Sequence, residues 1–99
     1  MRRLIIKAQA KVDSLEIWHW IAKSSVEAAN AQLARIRDGF RDLQYLPGQG
    51  HARDEVRNKA VRFWAVNSYL IVYRFDLSSV TILRVIHGAR NLKKLFRDE

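Results

Sequence analysis

Arg62, Trp64, Arg74, Arg84, His87, Arg90, Lys93 and Lys94 form a basic and aromatic set in the second half of the chain. Guanidinium, ammonium and imidazole groups on one surface can position a phosphate, and with a general acid among them they can cleave RNA. The plainer reading of the same residues is a solvated strand face followed by a basic tail. The three histidines, His19, His51 and His87, are far apart, with no HExxH motif, cysteine or acidic cluster beside them, so the spacing of a metal site is missing. Glycines stand only at 39, 48, 50 and 88, which leaves no phosphate-cradling loop and no GxSxG elbow. Asp13 and Glu16 have basic neighbours, and Asp38 and Asp42 fall on a polar helix face. All four are expected to be solvated charges rather than paired acid and base. A second set, Trp18, Trp20, Phe40 and Tyr45, is aromatic. Packing is expected to use Trp18 and Phe40, leaving Trp20 and Tyr45 as interface residues.

These residues must be positioned by a single domain spanning 1–99, because 99 residues leave no room for a second core. The net charge is +8, and residues 51–99 carry +5 of it, which predicts attraction to an acidic partner. Without cysteine nothing calls for an oxidising compartment, and no apolar run approaches the length of a membrane span. A cytoplasmic protein without a signal peptide or membrane contact is the expectation.

Residues 3–8 read as a short strand, and 11–23 as a helix burying Val12, Leu15, Trp18 and Ala22 with the offset pair Ile17 and Ile21. Ser24 and Glu27 have the spacing of a capping box for a second helix, whose stripe is Ala29, Leu33, Ile36, Phe40 and Leu43. The two helices form an antiparallel hairpin that ends at Tyr45-Leu46-Pro47-Gly48-Gln49-Gly50, where glycine is expected to take the left-handed exit turn. After a polar loop at 51–59 the period changes to two. Strands at 61–66, 69–75 and 80–87, joined by turns at Asn67-Ser68 and 76–79, predict an antiparallel meander. The central strand is apolar on both faces apart from Arg74, so its second face is expected to need a cover from outside the chain. The tail at 89–96 is basic and amphipathic.

The order of these elements resembles the ParE branch of the RelE/ParE toxin superfamily over nearly the whole chain. The resemblance is carried by Ala10-x-x-Asp13-Ser-Leu15-x-Ile17-Trp-x-Trp20-Ile21-Ala22, by Ala28-Ala29, Ile36 and Leu43-x-x-Leu46-Pro47-x-x-Gly50, and by Val61-Arg62. It continues through Tyr69-Leu-Ile-Val-Tyr73-Arg74 and Val80-Thr-Ile-Leu-Arg-Val-Ile-His87-Gly88-Ala89-Arg90. It implies an α+β fold with an N-terminal strand and an antiparallel helical hairpin packed on a three- to four-stranded antiparallel β-sheet. It also implies a plasmid-stabilising toxin–antitoxin function with a ParD-like antitoxin that folds on binding and covers the exposed apolar surface. Operator DNA would be met only indirectly, through the antitoxin, and no cofactor or metal is implied.

The superfamily holds two activities, poisoning of DNA gyrase in the ParE branch and ribosome-dependent mRNA cleavage in the RelE branch. The cleaving branch uses basic strand residues, an arginine after the strand-opening tyrosine, and commonly a C-terminal tyrosine. Here those positions read Val61, Phe63, Leu70 after Tyr69, and Phe96, none of which can move a proton. The expectation is therefore a non-enzymatic gyrase inhibitor with Trp64, His87, Arg90, Lys93 and Lys94 as target contacts. Trp20, Tyr45, Arg62, Arg74 and Arg84 are expected to meet the antitoxin. The alternatives are mRNA cleavage through Arg62, Arg84, His87 and Arg90, or an inactive homologue that only binds antitoxin and assists autoregulation.

Overall fold

A computed structural model describes residues 1–89 and Leu92. Strand β1 (Arg3–Ile6) leads into helices α1 (Ala8–Ala22) and α2 (Val26–Tyr45) and a 3-10 turn at Pro47–Gln49. Strands β2 (Arg62–Val66), β3 (Tyr69–Phe75) and β4 (Ser79–His87) follow. The architecture is the expected α+β hairpin on a sheet, with strand order β1-β4-β3-β2. The meander β2-β3-β4 is antiparallel, and β1 adds the single parallel pairing, against β4. The sheet is therefore mixed. The hairpin carries the chain across one face of the sheet, and β4 returns in the direction of β1.

Helix α2 follows its sequence pattern. Ala29, Ile36, Phe40 and Leu43 are buried, because one apolar stripe has a polar face opposite it. Its cap is Ser25, whose hydroxyl accepts the Ala28 amide at 3.1 Å, one residue later than the sequence spacing suggests. Glu27 is then out of position for a reciprocal capping box and contributes only negative charge to the first turn. Gly39 lets the helix lie close on the sheet, since a Cβ there would stand 2.7 Å from Ile71 Cδ1 and 2.9 Å from Val66 Cγ2.

Helix α1 departs from expectation. It starts at Ala8, and its buried residues are Ala10 and Asp13, with Ile17 packed partly against the same core. Val12 and Leu15, expected inside, are exposed. Apolar residues occur all round this helix, so the face turned inward is chosen by its neighbours on β4 and α2 rather than by its own period.

Two clusters fill the interior. On the hairpin side, Ile36, Phe40 and Leu43 meet Ile71, Tyr73, Val80, Ile82 and Val85. On the other face Phe63, Leu70, Val72 and Ile86 pack with Val56 and Leu92. The second face of the sheet is thus covered in part by the chain itself, through Val56 in the loop after the hairpin and Leu92 after β4. That corrects the expectation of a cover supplied wholly from outside. The two-residue turn forms as expected, with Asn67 at φ 55°, a conformation asparagine tolerates better than most residues. In the next turn the Asp76 carboxylate accepts the Ser78 and Ser79 amides at 2.8 and 2.9 Å.

Candidate functional site

The register between β3 and β4 shifts between Val72, opposite Arg84, and Tyr73, opposite Ile82. Leu83 is the extra residue of a bulge, a feature that re-aims neighbouring groups. Here it coincides with the point where α1 is tied to the sheet. The Arg84 guanidinium donates to both Asp13 oxygens, at 2.8 and 3.1 Å, and the Val85 amide donates to Oδ2 at 2.9 Å. Gln9 adds a fourth bond at 3.0 Å. Burial pushes the Asp13 carboxyl up, but these donors and the Arg84 charge outweigh it and hold the group below the ordinary carboxylate range.

Two expectations change as a result. Asp13 is not solvated, and the Arg84 guanidinium, expected to meet the antitoxin, is already paired with it inside the molecule. The pair falls 71 residues apart in sequence, so no local pattern could have joined them.

Above this pair lies a groove of about 380 Å³ between the last turns of α1 and the ends of β3 and β4, walled by Glu16, Trp20, Tyr69 and His87. Trp20 is 69% exposed, and Lys23 Nζ lies 5.1 Å from its ring. The His87 and Tyr69 rings meet edge to face at 5.5 Å, and His87 Nδ1 accepts the Ala89 amide at 3.1 Å. The structure therefore joins Trp20, expected to meet the antitoxin, with His87, expected to meet the target, in one groove.

Tyr45 and Arg62 lie at the other end of the hairpin, around a buried hydroxyl. Tyr73 is fully buried; its OH donates to the Pro47 carbonyl at 2.6 Å and accepts the Gly50 amide at 2.9 Å. A Cβ on Gly50 would overlap that hydroxyl. Gly50 has φ −76°, so glycine is needed here for space and not for a left-handed turn. Leu46-Pro47-x-x-Gly50 is thus the receptacle of Tyr73, a role invisible without knowing what the strand brings to it. The Arg62 guanidinium donates to the Gly50 carbonyl at 2.8 Å and lies over the Phe75 ring.

The remaining expected site residues are dispersed. Arg74 is exposed on the face of β3 opposite Tyr73 and Phe75. Trp64 is half-buried against the hairpin-side core, so most of it serves packing. Arg90, Lys93 and Lys94 lie outside the described residues. Among the described residues no group of three or more His, Asp and Glu could hold a metal, and no helix is long and apolar enough to cross a membrane.

A helical hairpin clamped to a small mixed sheet, with the strand arginines Arg62 and Arg84 bonded within the molecule, Arg74 exposed and large apolar side chains left outside, defines a small α+β domain. The chain belongs to the ParE toxin family of the type II toxin–antitoxin system parDE, whose model matches residues 4–92. It is 35% identical over 69 residues to Toxin ParE3 of Caulobacter vibrioides, covering 70% of this chain and 68% of that relative. A solved structure from the chromosomal ParDE system of P. aeruginosa superposes with a TM-score of 0.73 at 22% identity. It covers 88% of this chain and 96% of that one, a likeness of fold.

Proposed function

We infer that this chain is a toxin that inhibits DNA gyrase by binding, without catalytic chemistry of its own, and that a cognate ParD-like antitoxin neutralises it in the cytoplasm. Membership of the ParE family supports the toxin reading. The observation that carries the choice between activities is the state of the strand residues. Arg84 is locked to Asp13 through both carboxylate oxygens, while Val61, Phe63 and Leu70 are buried apolar residues with no proton to move. Groups held this way are poorly placed to activate a ribose hydroxyl or carry phosphate charge. His87 opens the basic segment at 89–96, and this end of the chain is assigned to the target.

For the antitoxin we assign a surface along the hairpin. Trp20 and Tyr45 stand toward opposite ends of the hairpin, whose first helix alone is about 22 Å long for its 15 residues. An elongated segment lying along the hairpin can meet both, and Arg62 extends its track at the Tyr45 end. The antitoxin would also carry any contact with operator DNA.

The test is a supercoiling and cleavage-complex assay with purified, folded protein and gyrase, run beside induction of the chain alone. Gyrase inhibition and DNA damage with intact messages are expected. Position-specific breaks in translated messages without DNA damage would instead assign the mRNA-cleaving activity. No arrest from soluble protein would leave an inactive homologue.

A further inference from the structure

At the end of the sheet that holds Tyr73, two arginines converge on one aromatic ring. The guanidinium carbons of Arg2 and Arg62 lie 5.6 and 5.5 Å from the Phe75 ring centroid. Backbone carbonyls also pin each: Arg2 Nε donates to Asp76 O at 2.7 Å, and Arg62 Nη1 to Gly50 O at 2.8 Å with a longer contact to Gly48 O at 3.5 Å. Stacking and these backbone hydrogen bonds leave each half-buried fork oriented. Among the described residues no acceptor meets its remaining nitrogens. The nearby carboxylate, Asp76, is turned into its own loop, where the amides and hydroxyls of Ser78 and Ser79 hold it.

The surroundings are apolar and open. Met1, Tyr45 and Leu77 are 83%, 67% and 93% exposed. Each is one residue from a group bonded to Arg2 or from Arg2 itself: Gln44 donates to the Arg2 carbonyl at 2.6 Å, and Asp76 accepts the Arg2 side chain. Exposed apolar residues thus flank, in sequence, Arg2 and the two groups that hold it.

We propose that the Arg2–Phe75–Arg62 cluster is a carboxylate clamp that docks an acidic, apolar-rich protein segment, the antitoxin's, against Met1, Tyr45 and Leu77. This rests on the neutralisation reading above and adds a site to it. Oriented guanidinium forks bind carboxylates through paired charge-assisted hydrogen bonds. The large exposed apolar side chains favour a peptide over a phosphate backbone, which has nothing to bury against them. A second copy of this chain brings another +8 to the patch, so charge opposes self-association.

The test uses the full chain and a fluorescent peptide of glutamate and leucine in equal number. Controls are its glutamine counterpart and an oligothymidine strand of matching length. The glutamate peptide is expected to bind most tightly, with affinity falling about tenfold or more for the glutamine peptide and for the variant Arg2→Gln/Arg62→Gln. Leu77→Glu, at a position too exposed to disturb folding, is expected to weaken binding as well. Equal binding by wild type and both variants would overturn the clamp. So would tighter binding of the thymidine strand, which would assign the patch to nucleic acid, or self-association abolished by Leu77→Glu, which would assign it to a second copy. Neutralisation is checked apart from this, by whether a co-expressed antitoxin relieves growth arrest by the wild-type chain. Equal relief for the Arg2→Gln/Arg62→Gln variant overturns the clamp and leaves neutralisation standing.

Discussion

Tyr73→Phe removes one oxygen from the interior and nothing else. The Pro47 carbonyl and the Gly50 amide, 2.6 and 2.9 Å from that oxygen, both belong to buried residues. Each loses its partner, and a buried polar group left without one costs about 1–3 kcal/mol. A total loss of about 2–4 kcal/mol is a large share of the roughly 5–15 kcal/mol that holds a domain of this size. With a urea m-value of about 1.5 kcal/mol/M, the unfolding midpoint should fall by about 1–3 M while m stays constant. Burial also pushes the Tyr73 hydroxyl above the usual phenol range, which favours its protonated, donating form. Gly50→Ala should be comparably destabilising, because the new methyl collides with the hydroxyl and the ring edge. The double variant should cost less than the two single losses together, since removing the oxygen relieves the tightest part of that collision. A Tyr73→Phe midpoint within about 0.3 M of wild type, or strictly additive losses, would refute the receptacle account.

Asp13→Ala should cost about 3 kcal/mol or more, because it strands the Arg84 guanidinium beside a mostly buried site. The Asp13 carboxyl has a lowered pKa in the folded state, so its contribution is fully present above the unfolded value of about 3.9 and is lost as pH falls through the folded one. Acid unfolding curves should accordingly be steeper for wild type than for Asp13→Asn, and parallel curves would count against the lock. Trp20→Ala should leave the urea midpoint nearly unchanged at this exposed position yet weaken antitoxin binding by about 2 kcal/mol, as isothermal titration would show. Gly39→Ala should lower the thermal midpoint despite alanine's better helix propensity, because its methyl would press into Ile71 and Val66.

Elements with a clear one-sided period were legible in the sequence. The α2 stripe from Ala29 to Leu43, the change to period two after Lys59 and the Asn67-Ser68 turn each follow from local residue order. The orientation of α1 was not, because Val12, Leu15, Ile17 and Trp18 offer apolar surface in several directions. The position of its inward face is decided by Asp13, and Asp13 can be inside only because Arg84 and the bulged β4 backbone meet it there. The Leu-Pro-x-x-Gly motif was legible as a helix end, while its requirement for Gly50 comes from Tyr73, 23 residues away. Trp20 and Tyr45 were rightly read as exposed, since a hairpin packed on one sheet face has only one side to bury.

The same physics explains why a basic face on this fold need not be a catalytic one. An arginine serves catalysis when its fork holds open, preorganised donors toward charge developing on a substrate. Here Arg84 has its carboxylate partner already, from α1, and withdrawing it would leave Asp13 buried without its strongest donor. Arg62 caps the carbonyl at the end of the Tyr73 receptacle, so moving it exposes a joint of the core. In both places the guanidinium connects the hairpin or its exit to the sheet, and the charge that composition counts as available is structural. Among the arginines whose forks keep open nitrogens at the surface are Arg62, on its outer edge, and Arg2 beside it. Their company of exposed apolar side chains suits a surface that is covered by protein.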